Sequence, residues 1–339
     1  MDFDDARLAD PEALRRADPV LRPLAEAGAR VRREVALTQD ALSALVEEGR
    51  PRAVIAFGPE ARLLRAVLEP ICPVPFLAWP RLGLPGWVGP LDVVVVMGWG
   101  NKESCAAAFE AVRRGSRLVV ACPSDSPLAR QSASSATTLL PTSAQDPFAA
   151  AVVTLAALHR LGLGPAVDAE QLAGVLDRVA EESSYALDVT ANPAKALALA
   201  LADAQPLVWG GSILAARASR RIAEALRSAT GRVVLSADAG ALEPLVDAVL
   251  PRDPFADPFE DVSAAPRPAL VLIDDGLDDE AAAEERYRLE QLAALRDVTV
   301  CRIVHEQGSE VERYAAVLQQ GLFAAAYLRI GLGRLDAAG

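Results

Sequence analysis

The stretch Asp92-Val93-Val94-Val95-Val96-Met97-Gly98-Trp99-Gly100-Asn101-Lys102-Glu103 decides the architecture of this chain. An apolar run follows Asp92 without a polar break, the pattern of a strand covered on both faces. Gly98 and Gly100 then turn the backbone, and a helical pattern runs on to Arg113. Strand, glycine turn and helix make half of a βαβ unit. The same rhythm recurs on either side. Ala53 to Phe57 ends in Gly58-Pro59 and passes into a helical stretch from Glu60 to Glu69; Val74 to Leu77, Leu118 to Ala121 and Thr137 to Leu140 supply further strands. Strands alternating with helices predict a parallel sheet with right-handed crossovers.

The first fifty residues read largely as helix, with Leu21, Leu24, Val31, Val35, Leu42 and Leu45 on one apolar face. Helical segments follow at about 148–163, 169–185 and 193–202, and then the α/β rhythm restarts. Pro206 to Trp209 leads through Gly210-Gly211-Ser212 into a helix over 213–228. Strands are expected at Val233 to Leu235, Ala269 to Ile273 and Val298 to Cys301, and a last amphipathic helix over 310–332. At 339 residues the chain exceeds one ordinary domain. The expected fold class is α/β, two three-layer α/β/α sandwiches with parallel sheets, plus N-terminal and linking helices. The boundaries are placed at 1–165 and 166–339. Residues 251–268 read as a proline-rich acidic loop.

Composition narrows the function. With 52% hydrophobic and 24% charged residues the chain can bury two cores, which excludes disorder for its bulk. A net charge of -12 tells against nucleic acid and anionic membranes as partners. No apolar run reaches the length of a membrane span and the N-terminus lacks an apolar signal core, so a cytoplasmic protein is expected. Cys72, Cys105, Cys122 and Cys301 form no metal-type cluster and read as reduced thiols. Neither metal nor cofactor is expected. Gly98 to Glu103 lacks the third glycine of a dinucleotide fingerprint, and no P-loop occurs.

Ligands of parallel sheets sit outside the carboxyl ends of the strands. Gly58-Pro59-Glu60, Gly98 to Lys102, Ser124 to Pro127, Gly210-Gly211-Ser212 and Asp274-Asp275-Gly276 are such ends. Ser126 and Ser212 read equally as N-caps or as ligand donors. Of 34 basic residues only Lys102 and Lys195 are lysine. A lysine at a helix N-terminus is disfavoured by the dipole, so Lys102 is read either as offsetting a bound anion or as a solvated side chain. Asp274-Asp275 resembles a Mg²⁺-holding carboxylate pair, but with Asp278-Asp279-Glu280 following, a solvated acidic helix start is the favoured reading.

These segments resemble, in order, those of the SIS (sugar isomerase) family, in particular its bifunctional phosphoglucose/phosphomannose isomerases. Gly100-Asn101-Lys102-Glu103 is similar to the SGNTEET phosphate loop, and Ser126-Pro127-Leu128-Ala129 to the S-x-L-A that opens the next helix. Asn192-Pro193-Ala194-Lys195 resembles the NPAK-type segment before the second domain. Tyr327-Leu328 and Leu84 to Val88 fit further stretches. The resemblance implies sugar-phosphate binding by Gly100, Asn101, Lys102, Ser126, Ser212 and Lys195, and a homodimer.

Departures from the family are equally specific. Met97, Trp99 and Lys102 stand where hydroxyl side chains hold the phosphate. Gly58 to Arg62 replaces a GMGGS loop, and Pro147-Phe148-Ala149 replaces a catalytic Pro-Arg-Ala. The active-site His-Asn-Glu aligns with Ala241-Leu242-Glu243, which leaves Glu243 as the candidate base. Of two histidines, His159 falls on an apolar helix, while His305 lies past a strand, on the edge suited to chemistry. Two functions follow: an aldose–ketose isomerase of a hexose 6-phosphate using Glu243 and His305, or an inactive homologue acting as a sugar-phosphate sensor or interaction partner.

Overall fold

The computed structural model describes residues 3–47, 49–79, 83–143, 146–250, 267–277 and 279–335. The acidic loop read at 251–268 lies outside them except for its last two residues, as does Asp278. The chain divides into two compact units, residues 27–174 and residues 1–26 with 175–339.

Ahead of the first strand come α1 (Pro11–Arg16), α2 (Asp18–Ala25) and α3 (Ala27–Ser43). Asp10 caps α1 through the amides of Glu12 and Ala13, with Pro11 at the first position where no amide is needed. The sheet of the 27–174 unit follows as β1 (Val54–Phe57), α4 (Ala61–Leu68), β2 (Phe76–Ala78), β3 (Val93–Met97), α5 (Lys102–Arg113), β4 (Arg117–Cys122), α6 (Pro127–Gln131), β5 (Thr137–Pro141) and α7 (Pro147–Arg160). Its five strands are all parallel in the order β2-β1-β3-β4-β5.

Alternation sorts the side chains of that sheet into two faces. Ile55, Phe57, Val94, Val96, Val120 and Cys122 pack with Cys105, Ala108 and Ala111 of α5 and Leu128 of α6. Residues of opposite parity, among them Val93, Val95 and Val119, are equally buried, and α4 and α7 cover that side. The uninterrupted valines of β3 are thereby explained. Each fully buried valine contributes roughly 1.5–3 kcal/mol, which a strand open to water on one face would forfeit at every second position.

Then come α8 (Ala169–Glu182), α9 (Pro193–Ala200), β6 (Gln205–Gly210), α10 (Ile213–Thr230), β7 (Leu235–Ser236), α11 (Ala239–Asp247), β8 (Pro268–Asp274), α12 (Glu280–Leu295), β9 (Thr299–Val304) and α13 (Glu310–Gly331). This second sheet is also parallel, in the order β7-β6-β8-β9. Leu207, Trp209, Leu270 and Leu272 pack against Leu242 and Val246 of α11 and Leu289 and Ala293 of α12. On the opposite face, α10 lies against β6 and β8 and α13 against α10 and α9. The strand expected at 233–235 is displaced: Val233 is exposed and pairing begins only at Leu235, because β7 is a two-residue edge strand.

The N-terminal helices belong with this second sheet. Asp4 donates its amide to Gly331 O at 3.0 Å, and Gln319 Nε2 donates to Leu24 O at 2.9 Å. Lys195 ties the same region to α9 through Leu8 O. No helix among the described residues is long and apolar enough to cross a membrane.

Candidate functional site

Both sheets reverse their strand order between the first and third strand of the set, β1/β3 in one and β6/β8 in the other. Loops leaving such a pair run in opposite directions and open a crevice at their carboxyl ends. The two crevices differ in chemistry.

At β1/β3 the loops touch. Gly58 has φ +113, and a Cβ there would stand 2.4 Å from Met97 O. Gly100, at φ +97, would place a Cβ 2.8 Å from the amide nitrogen of Leu128. Only hydrogen fits at either position, so glycine lets the turns after β1, β3 and β4 meet. Asn101 then caps α5, its Oδ1 accepting the Ser104 amide at 2.8 Å. The amide of Cys105 is satisfied by Asn101 O, and the first-turn amides of Lys102 and Glu103 remain as outward donors. Lys102 is exposed and, among the described residues, has no ion-pair partner. Asn101 is exposed beside it, as is Trp99.

Ser126 is different. It is buried and caps α6, its hydroxyl oxygen accepting the Ala129 amide at 3.1 Å. Burial pushes the thiols of Cys122 and Cys105 up, so both are held protonated. The Ser126 oxygen thus shapes the edge as a helix cap. Gly100, Asn101 and Lys102 lie together there, with Ser126 as their support.

Of the other expected donors, Lys195 is committed elsewhere. It is 2% exposed, and its ammonium donates to Leu8 O at 2.9 Å, Tyr185 O at 2.9 Å and Leu187 O at 2.8 Å. An ammonium has three hydrogens, so none is left for a ligand. Burial pulls its pKa down, and Asp188 opposes that. The ring of Tyr327 lies 5.5 Å from Nζ, and its hydroxyl donates to Ser183 O at 2.5 Å. Lys195 is a structural clamp.

Ser212 caps α10 through the Ala215 amide at 2.8 Å and donates its hydroxyl to Asp275 Oδ2 at 2.5 Å. Asp275 is 5% exposed, which corrects the reading of this pair as solvated. Asp274 accepts from the Gly276 amide at 3.0 Å and pairs with Arg286. With both carboxylates engaged, and no group of three or more metal-binding side chains among the described residues, the Mg²⁺ reading is not supported. A cavity of about 80 Å³ lies here, at the β6/β8 crevice.

Glu243 and His305 are not brought together. Glu243 sits on α11 and accepts from Arg288 of α12 at 3.3 Å, on one face of the second sheet. His305 follows β9, its amide bonded to Asp274 O at 2.9 Å, and its ring is set among charges from α8 and α13 on the other face. Its Nε2 is buried without a partner among the described residues, and its pKa is lowered by burial first and then by Arg178 and Arg313, against Glu182 and Glu312. His159 hydrogen-bonds Gly164 O through Nδ1 at 3.0 Å. Sequence reasoning missed the Ser212–Asp275 contact, which joins residues 63 apart, and Arg286, which no local pattern marks.

The fold is that of two SIS-type α/β/α sandwiches with parallel sheets, each reversing its strand order at its central pair of strands. Solved structures like it include tagatose-6-phosphate ketose/aldose isomerase from Escherichia coli, at 14% identity and TM-score 0.64, covering 94% of each chain. The C-terminal domain of glucosamine-fructose-6-phosphate aminotransferase from Francisella tularensis matches at 11% identity and TM-score 0.62, over 93% of this chain and 96% of that one. A glucose-6-phosphate isomerase like protein from Thermus thermophilus matches at 17% and 0.53, over 89% and 92%. At such identities the likeness carries the fold and not the activity. No protein-family model and no curated protein matches the sequence.

Proposed function

We propose that this chain binds a sugar phosphate, of the hexose 6-phosphate class, at the start of α5, and does not interconvert aldose and ketose through Glu243 and His305. One observation carries the reading: Lys102, one of two lysines in the chain, stands exposed at a helix N-terminus without an ion-pair partner among the described residues, beside the outward amides of its own first turn. The dipole and those amides favour an anion, and the lysine removes its own unfavourable position by pairing with one. Asn101 supplies a further donor through its amide nitrogen. Chemistry at an adjacent pair of carbons needs base and acid on one substrate, and Glu243 and His305 lie on opposite faces of a sheet.

The test is thermal shift of the whole chain with fructose 6-phosphate, glucose 6-phosphate and inorganic phosphate. A ligand specific for the native state at 100 times its Kd adds about 2.7 kcal/mol of stability. A rise in Tm with the sugar phosphates, lost in Lys102→Ala, is expected; a flat panel refutes the proposal. A coupled assay forming fructose 6-phosphate should stay at blank, and turnover abolished by Glu243→Gln would restore the isomerase reading. By resemblance the protein works as a cytoplasmic homodimer, which light scattering checks as a mass twice that of one chain.

A further inference from the structure

We infer that the β6/β8 crevice of the second sheet is a separate ligand site, and that it takes a neutral sugar or polyol held through its hydroxyl groups. The inference stands independently of the anion site on α5.

The crevice lies where the strand order reverses, which is where a parallel sheet leaves room for a ligand. Its cavity, about 80 Å³, is walled by Trp209, Leu277, Ala282 and Ala283 and carries charged groups of both signs, among them Asp275 and Arg286. Gly210 and Gly211 keep it narrow. A Cβ on Gly210 would strike the backbone of Ala215 at 2.3 Å, and one on Gly211 the Trp209 ring at 2.7 Å. The site is therefore a built cleft between two fixed loops rather than a surface dip.

Asp275 is the second observation. It is almost wholly buried, and Ser212 satisfies only Oδ2. Oδ1 accepts from no described residue, yet it is not among the sealed-off polar atoms, so it faces the cavity that Asp275 lines. A carboxylate oxygen turned into a narrow cleft is served only by the water the cleft admits, and a ligand donor can take that water's place. Arg286, engaged to Asp274, still presents guanidinium hydrogens on the same wall.

The pairing selects the ligand. An acceptor beside a donor is matched by a group that both donates and accepts, which a hydroxyl does. An ammonium only donates, so it leaves the Arg286 hydrogens unmatched. A phosphate only accepts, and it would meet Asp274, Asp275 and Asp279 against a single guanidinium. The two lobes thus differ in sign, one offering cationic donors and the other a carboxylate acceptor.

Isothermal titration of the whole chain with glucitol and with fructose tests this. The wild type should bind at least one of them, and Asp275→Ala and Ala283→Phe should each weaken binding about ten-fold or more, while Lys102→Ala leaves it unchanged. Ala283 is exposed on the cavity wall, so its phenylalanine fills the space with the Ser212–Asp275 bond intact and keeps the test decisive if Asp275→Ala does not fold. No binding of either probe up to about 100 mM overturns the inference. So does binding that survives Ala283→Phe, or preferential binding of glucosamine hydrochloride. Loss on Lys102→Ala alone would overturn it too, by moving the polyol to α5.

Discussion

Ser212 Oγ donates a 2.5 Å hydrogen bond to Asp275, and the same oxygen accepts the Ala215 amide that starts α10. One hydroxyl thereby ties the turn after β6 to the turn after β8 and caps a helix. Ser212→Ala removes the cap and strips a buried carboxylate of its donor, a loss of about 2–4 kcal/mol. Urea denaturation should show it, and the Ser212→Ala, Asp275→Ala double variant should lose less than the two singles combined.

Lys195→Met leaves three carbonyls without their donor, those of Leu8, Tyr185 and Leu187. A loss of about 2–4 kcal/mol is expected, read from the denaturation midpoint. Any sugar-phosphate response of the folded variant should equal that of the wild type, since no ammonium hydrogen faces the ligand edge. A selective loss of binding would reinstate Lys195 as a ligand residue.

His305 makes stability fall in acid. Its folded pKa lies below its unfolded value, because burial and two arginines disfavour the imidazolium. The unfolded chain therefore takes the proton first. Stability is whole above about pH 6.5 and declines as pH falls toward the folded pKa. Urea midpoints at about pH 7.5 and pH 5.5 should separate more for the wild type than for His305→Asn.

Gly58→Ala should be among the most damaging single-methyl changes in the chain. The backbone stands at φ +113, and the added carbon meets the carbonyl of Met97, which is fixed in the ladder of β3. Neither partner can yield, so a cost above about 2 kcal/mol is expected, with a lowered Tm. Gly86→Ala, with open space around it, serves as the control.

Much of this was legible beforehand. The valine run of β3, the glycine turns and the serine caps are local signals, and they place both sheets and the α5 edge correctly. Contacts across long separations were not. Lys195 reads as a ligand candidate because its motif is visible, whereas its three carbonyl partners are 8, 10 and 187 residues away. Asp275 reads as solvated because acidic neighbours surround it in sequence; only the fold buries it beneath Ser212. Glu243 and His305 each suit chemistry singly, but the side of the sheet a residue occupies depends on how later helices cross.

One unit is assembled from residues 1–26 together with 175–339, and its seams are Asp4 to Gly331, Leu24 to Gln319 and Leu8 to Lys195. On the ribosome the opening helices emerge long before their partners. The 27–174 unit has every strand of its sheet in hand while α1 and α2 still wait, so the order of folding inverts the order of synthesis for those residues. A chain stalled before α13 would leave Leu21, buried in the finished fold, without the helix that packs against α2.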